Sequence, residues 1–250
     1  MEIKRETTAV QRARADLLAV PLRAGVEVSA EIAALDLATG GRLLREVRQR
    51  SADPARRGCV SVYQTHGELP AELIARIGVG KAPADGSLPI DEWRRFAGAA
   101  LGAAQAARAR VACVSVGSAR PADAAIAAGS AAIEGALLAT YRFEGYRRPN
   151  PAKRVERVVV LGMPRSSAAD AAARRAVAVA EATCLARDLV NTPAEDATPA
   201  HLGRVAERMA RRGGLHAKIF APRELRRFGM GAILGVGRGS RNEPRLIEMI

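Results

Sequence analysis

The sequence predicts an α/β protein in which strands and helices alternate along the chain. Short apolar runs of strand length, such as Val111 to Val116, alternate with longer stretches of helical apolar periodicity, such as Asp91 to Ala109. Proline, asparagine and glycine lie between these segments, where the chain has to turn. Such alternation is typical of layers of helices packed on an open, mainly parallel sheet.

The composition is that of a globular protein. The 250 residues are 48% hydrophobic and 26% charged, and at roughly 100 to 200 residues per domain they can form one large core or two smaller ones. We see no apolar run of membrane-spanning length, and Met1 to Val10 lacks the apolar centre of a secretory signal. Cys59, Cys113 and Cys184 are far apart and odd in number, which favours reduced thiols, mostly in the core. We therefore expect a soluble, cytoplasmic protein.

The first half is predicted to hold four strands and three helices. Aliphatic runs predict the strands, and apolar residues at helical spacing predict the helices. Pro121 and Asp123 mark one helix start, because proline fits the first turn and a carboxylate there complements the helix dipole. In chain order we expect a strand at Ala15 to Leu22, a helix around Ile32 to Val47, a charged break at Arg50 to Arg57, strands at Cys59 to Gln64 and Ala71 to Val79, a helix at Asp91 to Ala109, a strand at Val111 to Val116 and a helix from Pro121 to about Phe143.

The second half begins after Gly145 to Lys153, a turn-rich stretch that we interpret as an exposed linker. Serine or threonine followed by proline marks helix starts, and paired glycines mark a helix end. In chain order we expect a strand at Glu156 to Leu161, a long helix that Ser166 or Ser167 caps and that ends at Asn191 to Pro193, a helix from Thr198-Pro199 to Gly213-Gly214, a strand at Leu215 to Ala221, a short helix at Pro222 to Phe228, and strands at Ala232 to Val236 and Leu246 to Ile250.

Two glycine-rich motifs resemble nucleotide-binding sites, but each lacks a feature that such a site needs. Gly78 to Lys81 resembles a phosphate loop, but Ala75 and Ala82 stand where a glycine and a hydroxyl are needed, so we predict a strand-end turn. Gly235 to Gly239 follows a predicted strand, but Ser240 to Pro244 predicts a polar turn where a dinucleotide site needs a helix.

No residue of this chain is assigned a catalytic, cofactor-binding or metal-binding role. His66, His201 and His216 lack metal-ligand spacing, and Cys184 lies on an apolar helical pattern. Arg187 and Asp188, just before Asn191 to Pro193, form one compact polar group at a sharp turn. The carboxylates Asp188, Glu195, Asp196, Glu207, Glu224, Glu243 and Glu248 are scattered and fit caps and surface pairs.

A net charge of +13 raises the possibility of a nucleic-acid-binding protein, since cationic side chains gain affinity by releasing phosphate counterions. Arginine-rich solvated helix faces explain the same charge, and aromatic residues, which would stack on bases, are only 3% of the chain. We keep DNA binding as an alternative function.

Two blocks closely resemble the catalytic domain of the leucyl aminopeptidase (cytosol aminopeptidase) family. They are Ala186 to Ala194 with Thr198-Pro199, and Phe228 to Ser240 with Pro244 to Ile247. Looser similarity to the family's N-terminal domain runs through Asp16 to Leu18, Ala34 to Asp36, Ile77 to Lys81 and Glu134 to Phe143. The chain departs from the family at Glu195, where many members have asparagine, and at Gly41 to Gly58, which is short or divergent.

The resemblance implies an N-terminal α/β, macro-like domain at residues 1–150, a linker strand and bridging helix at 151–185, and the start of an α/β metallopeptidase domain at 186–250. It implies a hexameric, metal-dependent aminopeptidase that releases N-terminal residues from peptides with two divalent ions, manganese or zinc. No segment here matches the family's metal-ligand segments, so we expect this stretch to bind no metal and to be inactive alone. The other alternative is a non-catalytic oligomeric scaffold.

Overall fold

The computed structural model describes residues 1–24, 28–50, 53–81, 88–117, 121–146 and 155–250. The chain divides into two compact units, Met1–Leu185 and Ala186–Ile250. The predicted linker is described only up to Tyr146, because residues 147–154 lie outside the described part.

The first unit is a six-stranded sheet with helices on both faces, which confirms the predicted α/β fold. Its strands run in the order β1-β6-β5-β2-β4-β3, and every neighbouring pair is parallel except β3 and β4. The elements are β1 (Glu2–Glu6), a 3-10 turn (Val10–Arg12), β2 (Ala15–Ala24), α1 (Ala30–Ala38), α2 (Arg42–Arg50), β3 (Val60–Gln64), β4 (Ala71–Lys81), α3 (Ile90–Ala106), β5 (Val111–Ser115), α4 (Ala122–Ala139), β6 (Arg157–Leu161) and α5 (Ser167–Asn191), the last of which continues past Leu185.

Strand β2 shows why this sheet is covered on both sides. Leu17 and Ala19 enter the core formed with α3, α4 and α5, whereas Leu18 and Val20 enter the core formed with α1 and α2. Successive side chains of a strand point to opposite faces, so a strand buried on both faces reads as a continuous apolar run. Strand β6, between β1 and β5, is likewise apolar after Arg157.

Helices α3 and α4 pack closely because small residues face each other. Arg94 Nε donates to Glu134 Oε2 over 2.6 Å, and a Cβ on Gly135 would lie 2.1 Å from the carbonyl oxygen of Arg94.

By length and composition alone α4 could cross a membrane, contrary to our expectation from the sequence. Ala132 and Ile133 are wholly buried in the core of the first unit, so we interpret α4 as a core helix.

Several local features of the first unit differ from the predictions. The single helix at Ile32 to Val47 is two helices, because Gly40 and Gly41 adopt positive φ of 60° and 76° and end α1. The charged strand β1 was not predicted at all. The helix expected to reach Phe143 ends at Ala139, and Thr140 closes it with its hydroxyl bonded to the Leu137 carbonyl.

The second unit contains α6 (Pro199–Gly213), β7 (Ala217–Phe220), α7 (Pro222–Arg227), α8 (Gly231–Gly237) and β8 (Leu246–Met249). Helix α6 has the predicted signals at both ends: the Thr198 hydroxyl accepts a hydrogen bond from His201 N, and Gly214 has φ of 69°. Strands β7 and β8 pair antiparallel. The strand predicted at Ala232 to Val236 is wrong, because this segment forms α8.

One of the three cysteine thiols is buried and has a raised pKa. Cys113 is buried in β5, and burial, followed by the nearby Glu6 carboxylate, raises the pKa of its thiol to about 12. Cys59 and Cys184 are only half-buried, so the expectation of mostly buried cysteines holds for Cys113 alone. We expect a thiol reagent at pH 8 to leave Cys113 unmodified in the native chain, because raising the pKa from 9 to 12 lowers the thiolate fraction roughly a thousandfold.

Thiol titration with and without denaturant checks this prediction. The third thiol should appear only on unfolding, and Cys113→Ser should give two thiols under both conditions. Equal rates for all three native thiols would contradict it.

Candidate functional site

The glycine motif at Gly78 to Lys81 has a structural role. It lies within β4 and not in the predicted strand-end turn. Gly78 N donates to the carbonyl oxygen of Cys59 over 2.8 Å, and a Cβ at Gly78 would lie 2.1 Å from the Arg56 carbonyl oxygen. Glycine is therefore needed because residues 55–59 cross the strand at this point.

The polar group at the end of α5 closes the helix. Thr192 donates from its hydroxyl and from its main-chain nitrogen to the carbonyl oxygen of Asp188, over 2.7 and 3.0 Å. Further hydrogen bonds or electrostatic interactions involve Arg187, Asp188 and Asn191. This arrangement resembles a helix C-terminus in which a hydroxyl satisfies the last carbonyls.

The three histidines lie on separate elements. His66 stands in the β3–β4 turn with φ of 51°, and His201 lies in the first turn of α6. His216 exchanges main-chain hydrogen bonds with Ile250, over 2.8 and 3.0 Å. Across the described residues no group of three or more His, Cys, Asp or Glu side chains comes together in a way that could hold a metal ion.

The scattered carboxylates remain scattered in the structure. Glu224 accepts a hydrogen bond from Ala221 N over 3.1 Å at the start of α7, and Glu243 pairs with the guanidinium of Arg245 over 3.0 Å. Glu195 and Asp196 lie exposed between α5 and α6, Glu207 lies on α6 and Glu248 on β8. A two-metal hydrolase needs several carboxylates converging on ions roughly 3.5 to 4 Å apart, and the described acids do not fit such a pair.

Among the described residues, an open cavity with arginines in its lining lies in each unit. In the second unit a cavity of about 620 Å³ lies between α7 and α8, and its lining includes the arginines Arg226, Arg238 and Arg241 with Ser240. The motif at Gly235 to Gly239 borders this cavity from the carboxyl end of α8, so it lacks the helix N-terminus that a pyrophosphate needs.

The cavity of the first unit, of about 600 Å³, lies beside strand β3. Arg42, Arg45 and Glu46 of α2 line it from one side, together with Tyr63 of β3. Val62, Gln64, His66 and Leu73 complete the lining. The lining thus includes one acid, Glu46, and one histidine, His66, besides the two arginines.

Two family models match the chain in order. The N-terminal domain of the cytosol aminopeptidase family matches residues 19–150, and the catalytic domain of the same family matches residues 184–250. The chain belongs to the cytosol aminopeptidase family. Both catalytic-domain blocks that carried the resemblance fall within residues 184–250, which confirms that interpretation of them.

Curated relatives in this family match most of the chain. A probable cytosol aminopeptidase of Streptomyces avermitilis is 34% identical, with 97% of this chain and 49% of the relative covered. One of Roseiflexus castenholzii is 38% identical, with 72% of this chain and 37% of the relative covered. The chain thus spans about half, or less, of the length of the curated relatives that it matches.

Solved structures show the same fold. A tomato leucine aminopeptidase mutant superimposes with a TM-score of 0.85 at 24% identity, covering 100% of this chain and 50% of that one. The bottromycin maturation enzyme BotP, in complex with Mn, gives a TM-score of 0.67 at 28% identity, covering 94% of this chain and 44% of that one.

Proposed function

We propose that this chain supplies the N-terminal domain and the first part of the catalytic domain of a cytoplasmic, metal-dependent aminopeptidase that releases N-terminal residues from peptides. The observation that carries the proposal is the ordered match of both family domains, to residues 19–150 and 184–250. The BotP complex with Mn supports a divalent metal in the complete protein, manganese or zinc. By the resemblance, the complete enzyme is a hexamer.

Residues 1–250 alone are proposed to be inactive. Support comes from the acids and histidines of the described residues, which form no group of three or more that could hold a metal ion. The relatives are about twice as long, so their metal chemistry can depend on residues that have no counterpart here.

A peptidase assay tests the proposal directly. The purified chain is incubated with leucyl-peptides and Mn²⁺, next to an EDTA control and the Streptomyces avermitilis relative. We expect hydrolysis by the relative and none by the chain. Turnover by the chain above its EDTA control would overturn the inactivity, and absence of aminopeptidase activity in the relative would overturn the proposed function.

A chimaera separates the two parts of the proposal. Residues 1–250 replace the matching half of the same relative, and a cooperative thermal melt first establishes that the chimaera folds. A folded chimaera should hydrolyse leucyl-peptides when supplied with Mn²⁺, because the chain then has the half that it is proposed to need. A folded but inactive chimaera would count against this chain as part of an aminopeptidase.

DNA binding is a second proposal, favoured by the net charge of +13 and by the three arginines that line the cavity of the second unit. None of Arg226, Arg238 and Arg241 is ion-paired within the described part of the chain. Duplex DNA titrated at several salt concentrations should then bind with an affinity that falls steeply as salt rises. Affinity that salt does not change would reject it.

A further inference from the structure

Strand β3 forms an open edge of the first unit's sheet. It is the last strand in the order, and among the described strands it pairs only with β4. Gly78 N donates to the Cys59 carbonyl and Thr65 N to the Glu72 carbonyl, over 2.8 and 3.0 Å. Hydrogen-bonded pairs alternate along an antiparallel ladder, so residues 61 and 63 also face β4. The main-chain groups of Val60, Val62 and Gln64 therefore point outward.

These outward groups have no hydrogen-bond partner within the ranges that the structure describes. The cavity of about 600 Å³ also reaches this edge. Val62 and Gln64, whose side chains lie on one face of β3, line this cavity, and so does Tyr63, whose side chain lies on the other face. The cavity therefore borders both faces of the strand.

The opposite edge of the sheet is built differently. Strand β1 carries Glu2, Lys4, Arg5 and Glu6, and Glu2 forms ion pairs with Lys4 and Arg157 over 3.3 and 2.6 Å. Pairing two copies of β1 about Lys4 would oppose Lys4 to Lys4 and Glu2 to Glu6. Charged residues are a common protection of edge strands against such pairing. Strand β3, with the sequence VSVYQ, has no charge and no proline.

We propose that β3 pairs with β3 of a second copy of this chain, antiparallel and centred on Val62, so that two six-stranded sheets become one. The register is self-complementary: Val62 faces its own copy, Val60 faces Gln64, and Ser61 faces Tyr63. The outward groups of the three residues then form roughly six main-chain hydrogen bonds. Cross-strand pairs of β-branched, aromatic and small polar residues stabilise such a ladder.

Charge makes the pairing depend on salt. Two chains of +13 repel each other, while the paired strands bring no ion pair of their own. Added salt screens the repulsion. The dimer should therefore strengthen as salt rises, which is opposite to association through surface ion pairs.

Sedimentation of the 250-residue chain over a range of concentrations and salt tests the pairing. We expect a monomer–dimer equilibrium that Val60→Lys weakens at least tenfold, because Val60 is 41% exposed on this edge. Val190→Lys makes the same change at an exposed position of α5 and should leave the equilibrium unchanged. A chain that stays monomeric at high salt, or a dimer insensitive to Val60→Lys, would overturn the proposal.

Cysteine cross-linking tests the register and does not depend on how well Val60→Lys folds. In a Cys59→Ser background, Val62→Cys should form an intermolecular disulfide under mild oxidation, because facing residues of a hydrogen-bonded pair have Cα atoms about 5.5 Å apart. Gln64→Cys should not, since its own copy would lie about 14 Å away. Equal cross-linking of the two variants, or none by Val62→Cys, would reject this register.

Discussion

Gly135→Ala is expected to reduce the free energy of unfolding of the first unit by about 3 kcal/mol, at the upper end of overpacking costs. The added methyl carbon would lie 2.1 Å from the carbonyl oxygen of Arg94 and 2.7 Å from its carbonyl carbon. These atoms belong to the backbone of α3, so no rotamer change relieves the contact. The two helices have to separate, which disturbs the core between them.

Gly102→Ala is the matched control for that substitution. It makes the same change inside α3, but nothing lies within 4 Å of the added carbon. Alanine is favoured over glycine in a helix by about 1 kcal/mol, so this variant should be slightly more stable than the parent. Chemical denaturation of all three chains measures both effects. Similar stability of Gly135→Ala and Gly102→Ala would show that the close contact carries little energy.

Helix α8 shows a limit of sequence reasoning. A run of apolar residues between glycines fits either a short buried strand or two turns of helix, since periodicity cannot separate them at this length. In the structure Gly229 adopts φ of 68°, and Met230 N donates to the Leu225 carbonyl over 3.0 Å. The chain thus reverses immediately after α7, and Leu234 N bonds to the Met230 carbonyl over 3.3 Å as helix α8 begins. These hydrogen bonds after α7 accompany the helical conformation, and the apolar pattern alone does not reveal them.

Strand β1 could not be predicted for a different reason. Four of its five residues are charged and only Ile3 is apolar, so no apolar run marks it. An edge strand needs little apolar surface, and its charges are satisfied by neighbours such as Arg157. Buried strands such as β5 and β6 were predictable because both of their faces contribute to the core.

The candidate site was predictable only at the level of the family. The blocks at Ala186 to Ala194 and Phe228 to Ser240 lie within the matched catalytic domain, yet their described roles are a helix end and the turn and helix beside a cavity. Metal chemistry requires converging carboxylates. Whether carboxylates on separate elements converge depends on how those elements pack. The spacing of the acids along the chain therefore does not reveal a metal site.

Arg76 is the second position where a large loss of stability is expected. It lies on β4 with its side chain completely buried, and its guanidinium Nη1 donates to the main-chain carbonyl oxygen of Leu43 in α2. The side chain therefore connects the sheet to the helix layer that also buries Leu35 and Tyr63. Burying an arginine is costly unless its donors are used, and the bond to Leu43 offsets part of that cost.

Arg76→Ala should lower the free energy of unfolding by about 3 to 4 kcal/mol, because it leaves a cavity and removes the donor from a buried carbonyl. Arg76→Met fills most of the volume without replacing the donor, so its loss should be smaller, roughly 1 to 3 kcal/mol. Urea unfolding measures both losses. The difference between Arg76→Ala and Arg76→Met gives the packing contribution, and the loss in Arg76→Met gives the contribution of the hydrogen bond. If Arg76→Met is as stable as the parent chain, the bond to Leu43 contributes nothing net, and burial of the apolar stem alone accounts for the position.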